Sequence, residues 1–144
     1  MTTSHKVGSG SKVDGKTATA AVPNGGTAEV AFTNNYKKQV GSLKLTKTVS
    51  GDKTLTDVAS DISFKIAGSN GYSKTIAGTE LDASGSYTID NLAKGTYTVK
   101  ETTTGPNGYT VTTTYKVDGG STEAGATATA AVPNGGTAEV AFTN

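Results

Sequence analysis

Along residues 42–49, SLKLTKTV, two classes of position alternate strictly. Leu43, Leu45, Lys47 and Val49 share one parity, and Ser42, Lys44, Thr46 and Thr48 share the other. This alternation predicts a strand with one face in a core; it turns Lys47 inward and leaves Lys44 in solvent. The same period predicts strands at ISFKI (62–66), around Tyr72 to Ile76, and at SYTI (86–89), TYTVKE (96–101) and YTVTTTYKV (109–117). It also predicts a terminal pair, TATAAV (127–132) and TAEVAFTN (137–144). Turn residues separate these runs: Gly-Ser-Asn-Gly at 68–71, Gly-Pro-Asn-Gly at 105–108, and Pro-Asn-Gly-Gly at 133–136, which predicts a hairpin. No window carries a helical period of useful length. The class is all-β, and seven to nine short strands at this spacing predict an immunoglobulin-like β-sandwich.

Residues 17–34, TATAAVPNGGTAEVAFTN, recur unchanged as residues 127–144. Upstream the match continues without gaps, Thr2-Thr3 falling on Thr112-Thr113 and Lys6-Val7 on Lys116-Val117. The offset of 110 residues is the size of one sandwich domain. A tandem array follows, with residues 1–34 as the C-terminal strands of a preceding repeat, 35–41 as a linker and 42–144 as a complete domain. Residues 1–34 have turn chemistry but no sheet to join, and an isolated hairpin is marginal in water. They are expected to be disordered or to add to the sheet edge of a neighbouring molecule. The chain reads as a piece of a longer protein.

Composition narrows the function. Hydrophobic residues make up only 33% of the chain, a lean supply for a core. A formal net charge of +1 with 17% charged residues gives no polyelectrolyte signal, so neither nucleic acid nor membrane is expected as a partner. There is no cysteine, which excludes disulfides and thiol chemistry, and His5 is the single histidine, which removes His-based triads and metal sites. No cofactor is expected.

Two further polar residues break strand parity as Lys47 does. Tyr97 and Val99 lead to Glu101 on the inward face, and Val140 and Phe142 lead to Asn144. An isolated buried ammonium or carboxylate is costly unless paired or neutralised. The chain therefore commits a lysine, a carboxylic acid and a carboxamide to one interior.

The segments LKLTKTVSG (43–51), YTVKETTTGPNGY (97–109) and EVAFTN (139–144) resemble the three signature segments of CnaB-type immunoglobulin-like domains of Gram-positive surface adhesins and pilins. The resemblance spans residues 42–144. It implies an intramolecular isopeptide bond from Lys47 on the first strand to Asn144 on the last, assisted by Glu101, with those two strands parallel. It further implies a structural stalk module at the cell surface or cell wall, with neighbouring repeats of the same protein as partners and no turnover of an external substrate.

The chemistry also follows from the residues. Burial raises the pKa of a carboxylic acid and lowers that of an amine, so Lys47 and Glu101 packed together can exchange a proton and become neutral. A neutral Lys47 amine is a nucleophile for the side-chain carbonyl carbon of Asn144. Glu101 would hydrogen-bond the carboxamide oxygen and relay a proton to the departing ammonia. The plainer alternative is a buried ion pair capped by an asparagine. Asn34, in the same AEVAFTN context, is an alternative acceptor. The seven-residue link 35–41 is short for a parallel return within one chain, so Asn34 would react between molecules. Two rival functions remain: a strand-exchange monomer that forms covalent head-to-tail polymers through residues 1–34, and a ligand-binding adhesin domain using Tyr72, Tyr87, Tyr109 and Tyr115.

Overall fold

The structure is a computed structural model that describes residues 1–144 and divides into two compact units, Met1–Lys38 and Gln39–Asn144. In the first, β1 (Thr2–Val7), β2 (Val13–Asp14) and β3 (Val30–Asn35) form a three-stranded antiparallel sheet in the order β2-β1-β3. Residues expected to be disordered or to pair with another molecule thus have a sheet of their own. Long-range pairing from Thr2↔Asn35 to Val7↔Val30 supplies its ladder. What it lacks is cover: Phe32 and Val30 are 52% and 38% exposed.

The second unit opens with β4 (Val40–Thr48), followed by one helical turn, α1 (Leu55–Val58). Then come β5 (Ile62–Gly68), β6 (Ser73–Ala77), β7 (Ser86–Ala93) and β8 (Gly95–Thr103). The chain finishes with β9 (Thr114–Val117), β10 (Glu123–Ala124), β11 (Thr127–Val132) and β12 (Thr137–Thr143). One sheet has the order β10-β9-β12-β4-β7 and the other β11-β8-β5-β6. Their inner faces supply Leu43, Leu45, Val140 and Phe142 from the first sheet, and Phe64, Ile66, Tyr97 and Val99 from the second, each at most 1% exposed. Strict alternation on both sides fills the thin core of a sandwich. The first and last strands, β4 and β12, are central neighbours and run parallel, with Phe142 opposite Lys47 and Thr143 opposite Thr48.

Two strand expectations need correction. The segment 127–144 is no hairpin: β11 pairs with β8 in one sheet, and β12 pairs with β4 and β9 in the other. Pro-Asn-Gly-Gly is a corner at which the chain changes sheets, docked where Gly135 N–H donates to Val40 O (2.7 Å) and Ser42 N–H to Gly136 O (2.9 Å). The identical residues 17–22 of the first unit form no strand there; that unit contains no counterpart of β8 for them to pair with. The strand expected at 109–117 is reduced to Thr114–Val117, because only that part meets β12.

Candidate functional site

Lys47 lies next to last on β4, Glu101 stands on β8 in the facing sheet, and Asn144 follows β12. Parity aims all three into the interior, and the two sheets bring them together at one end of the sandwich. Lys47 Nζ donates to both Glu101 oxygens at 2.9 Å, and Asn144 Nδ2 donates to Glu101 Oε1 at 2.7 Å. The side chains of Lys47 and Glu101 have no exposed surface. Their cross-strand partners explain the enclosure. Phe142 sits opposite Lys47 and Phe64 opposite Glu101, and the two rings pack with centroids 5.8 Å apart. Burial pushes the Lys47 ammonium below its ordinary value, against the pull of its hydrogen bond to, and the charge of, the Glu101 carboxylate.

The backbone holds the reactants in place. Lys47 N–H donates to Gly85 O (2.8 Å), and Glu101 N–H to Ala126 O (2.8 Å). Asn144 N–H donates to Thr48 O (3.1 Å), continuing the parallel ladder by one rung. Ser50 then closes the strand end, its N–H and Oγ–H both donating to Asn144 O at 2.7 and 3.0 Å. Neither Ser50 nor Gly85 stands out in the alternation of the strands; the Ser-Gly pair one residue past β4 is the available signal for the first. Gly85 has φ +74°, and a Cβ there would lie 2.4 Å from Lys47 O. Gly85→Ala is therefore expected to destabilise the domain by about 2–4 kcal/mol and to displace Lys47; denaturant unfolding together with the cross-linked fraction by mass would check both.

The other candidates fall elsewhere. Lys44 faces outward and pairs with Glu139 at 3.2 Å. Asn34 lies on the exposed sheet of the first unit, its Oδ1 accepting from Thr3 Oγ1 at 2.9 Å. His5 packs on Phe32, ring centroids 5.8 Å apart. No group of three His, Asp or Glu side chains is placed to hold a metal ion. One detail departs from the sequence reading: Glu101 contacts the carboxamide nitrogen of Asn144, while its Oδ1 is buried with no hydrogen-bond partner.

A family model described as the SpaA prealbumin-like fold domain matches residues 41–135, a span that includes Lys47 and Glu101 and stops short of Asn144. No curated protein sequence matches the chain. Among solved structures, the minor pilin GBS52 of Streptococcus agalactiae aligns at 17% identity, covering 82% of this chain and 52% of its own, with a TM-score of 0.48. The major pilin T3.2 of Streptococcus pyogenes aligns at 18%, covering 86% and 56%, with a TM-score of 0.48. The TIE protein of Bacillus anthracis aligns at 22%, covering 82% and 20%, with a TM-score of 0.47. The chain thus spans between a fifth and rather more than half of these relatives. It belongs to the SpaA family of prealbumin-like fold domains.

Proposed function

We propose that the second unit is a stalk module of a Gram-positive cell-surface adhesin or pilus-like fibre, closed by an autocatalytic isopeptide bond between Lys47 and Asn144. The observation that carries this reading is the continuous hydrogen-bonded chain Lys47–Glu101–Asn144, with Lys47 and Glu101 sealed from water beside two phenylalanines. Lys47 gives a proton to Glu101, and the freed amine forms the Nζ–Cγ bond to Asn144 while the carbonyl π pair moves to Oδ1. Glu101, 2.7 Å from Nδ2, protonates that nitrogen and recovers a proton from Nζ as the C=O bond re-forms and ammonia leaves. Folding supplies most of the rate by holding the reactants in contact.

The mechanical consequence follows from topology. Load entering at Val40 runs along β4 to Lys47 and crosses directly to Asn144, so residues 48–143 bear none of it. Pulled from its two ends, the cross-linked second unit is expected to give no extension from those residues, whereas Glu101→Ala should release roughly 300 Å; equal extension in both would overturn the stalk reading. Such a lock suits a lean core working outside the cell without disulfides, with neighbouring repeats as its partners.

A second reading is favoured by one observation. Phe32 and Val30 are 52% and 38% exposed, whereas Phe142 and Val140 in the identical segment are fully buried. In the second unit the identical segment lies between β9 and a parallel β4, with Val140 and Phe142 turned to the opposite sheet. In a second copy whose β12 slot is vacant, β3 would place Asn34 beside that copy's Lys47 and yield head-to-tail covalent chains. With Asn144→Ala, multimers that survive denaturation are expected to grow with concentration and to vanish when Asn34→Ala is added. Monomer throughout would dismiss strand exchange. Of the tyrosines open to the ligand-binding alternative, Tyr72 packs on Tyr97, Tyr115 packs on Phe142 and Tyr87 accepts from Lys74, which leaves Tyr109, 46% exposed.

A further inference from the structure

Asn144 Oδ1 is the atom on which negative charge must collect when Lys47 attacks, and it is buried without a donor. Glu101 does not fill the need, because its near oxygen is engaged with the leaving nitrogen, Nδ2. A hydrogen-bond donor aimed at a developing oxyanion is worth a large factor in rate in a water-excluded site.

The repeat within the chain points to the missing group. Asn34 is the counterpart of Asn144, and its Oδ1 accepts a hydrogen bond from Thr3 Oγ1 at 2.9 Å, across the rung Thr3↔Asn34. By the same offset Thr3 corresponds to Thr113. The backbone of the two threonines is held alike: Gly15 N–H donates to Thr3 O at 3.0 Å and Gly125 N–H to Thr113 O at 2.9 Å. In the second unit the β9–β12 ladder stops at Thr114↔Thr143, one rung short of the Thr113–Asn144 pair that the first unit forms. Parity puts Thr113 on the inward face with Tyr115 and Val117, both packed against the core.

The geometry points to Thr113 as a further catalytic residue, its hydroxyl donating to Asn144 Oδ1 once that rung closes and stabilising the tetrahedral oxyanion. Glu101 then serves the nitrogen and Thr113 the oxygen. The inference rests on the Lys47–Asn144 reading. It assigns the orphaned oxygen to the protein and not to solvent in the shallow cleft that Asn144 shares with Val49, Pro106 and Tyr109.

The test is a time course of ammonia loss, with the full chain made by cell-free synthesis, quenched at intervals and weighed intact. Thr113→Val, which keeps the shape and removes the donor, is expected to slow bond formation by on the order of 10²-fold, and Thr113→Ser to restore a near-normal rate. Thermal unfolding of Thr113→Val in a Lys47→Met background should match that background alone. A Thr113→Val rate equal to the parent's would overturn the assignment while leaving the cross-link in place. Slowing accompanied by matching loss of stability, without rescue by serine, would overturn it in favour of a packing role. A parent chain that never loses ammonia would instead overturn the Lys47–Asn144 reading itself.

Discussion

Replacing Glu101 by alanine is expected to abolish the cross-link and to produce the least stable single variant of the domain. Two losses combine. Without the carboxyl group nothing in the enclosure relays a proton from Lys47 to the departing Asn144 nitrogen, so the amide cannot be exchanged. The ammonium is then left with no counter-charge in an enclosure where its side chain has no exposed surface. Breaking one partner of a buried ion pair costs about 3–5 kcal/mol, beyond the stabilisation forfeited with the bond. The variant should also acquire a pH dependence whose sign is set by Lys47. Burial already lowers its pKa from the model-compound value of 10.5, and the opposing influence is Glu101. With Glu101 gone, the folded chain binds fewer protons than the unfolded chain between the depressed value and 10.5. Stability therefore rises with pH through that window. A denaturation midpoint that increases as the pH rises towards 10.5 would agree; a flat profile would place Lys47 in contact with water.

Asn144→Ala, made together with Asn34→Ala to remove the second acceptor, should separate the bond from the ion pair. Lys47 and Glu101 keep each other, so no charge is stranded, and only the covalent link is lost. That link closes a loop from residue 47 to residue 144. By the chain-entropy argument for cross-links, a loop of this length contributes about 4–5 kcal/mol, equivalent to a fall in Tm of roughly 20 °C or more for a domain of this size. Calorimetry of the double variant against the Asn34→Ala parent measures it. A shift of only a few degrees would mean that the bond contributes little or never forms.

Strand parity was enough to bring Lys47, Glu101 and Asn144 onto inward faces, because a period of two leaves no freedom about side once a strand has one face in a core. Parity is silent about which sheet a strand joins. TATAAV and TAEVAF both alternate correctly for a hairpin, yet each serves as an inner face of a different sheet. The decision belongs to β8 and β4, which offer them partners. Residues 17–34 make the point most directly, since the same letters lose one strand and expose Phe32 where those partners are missing. The alternation at 109–113 misled for a related reason: threonine-rich β propensity forms no strand without a neighbour, and Tyr109 and Val111 stand 46% and 37% exposed. Within the site, the pairing of Glu101 with Nδ2 and the Ser50 clamp on Asn144 depend on distances across the fold, which no local pattern encodes.

The most direct measurement is the intact mass of the denatured chain, followed by a peptide map. Loss of one ammonia per chain, with a single branched peptide joining Lys47 to Asn144, is the expected result. An unmodified mass under conditions where the protein is folded would contradict it and leave Lys47 and Glu101 as a buried ion pair.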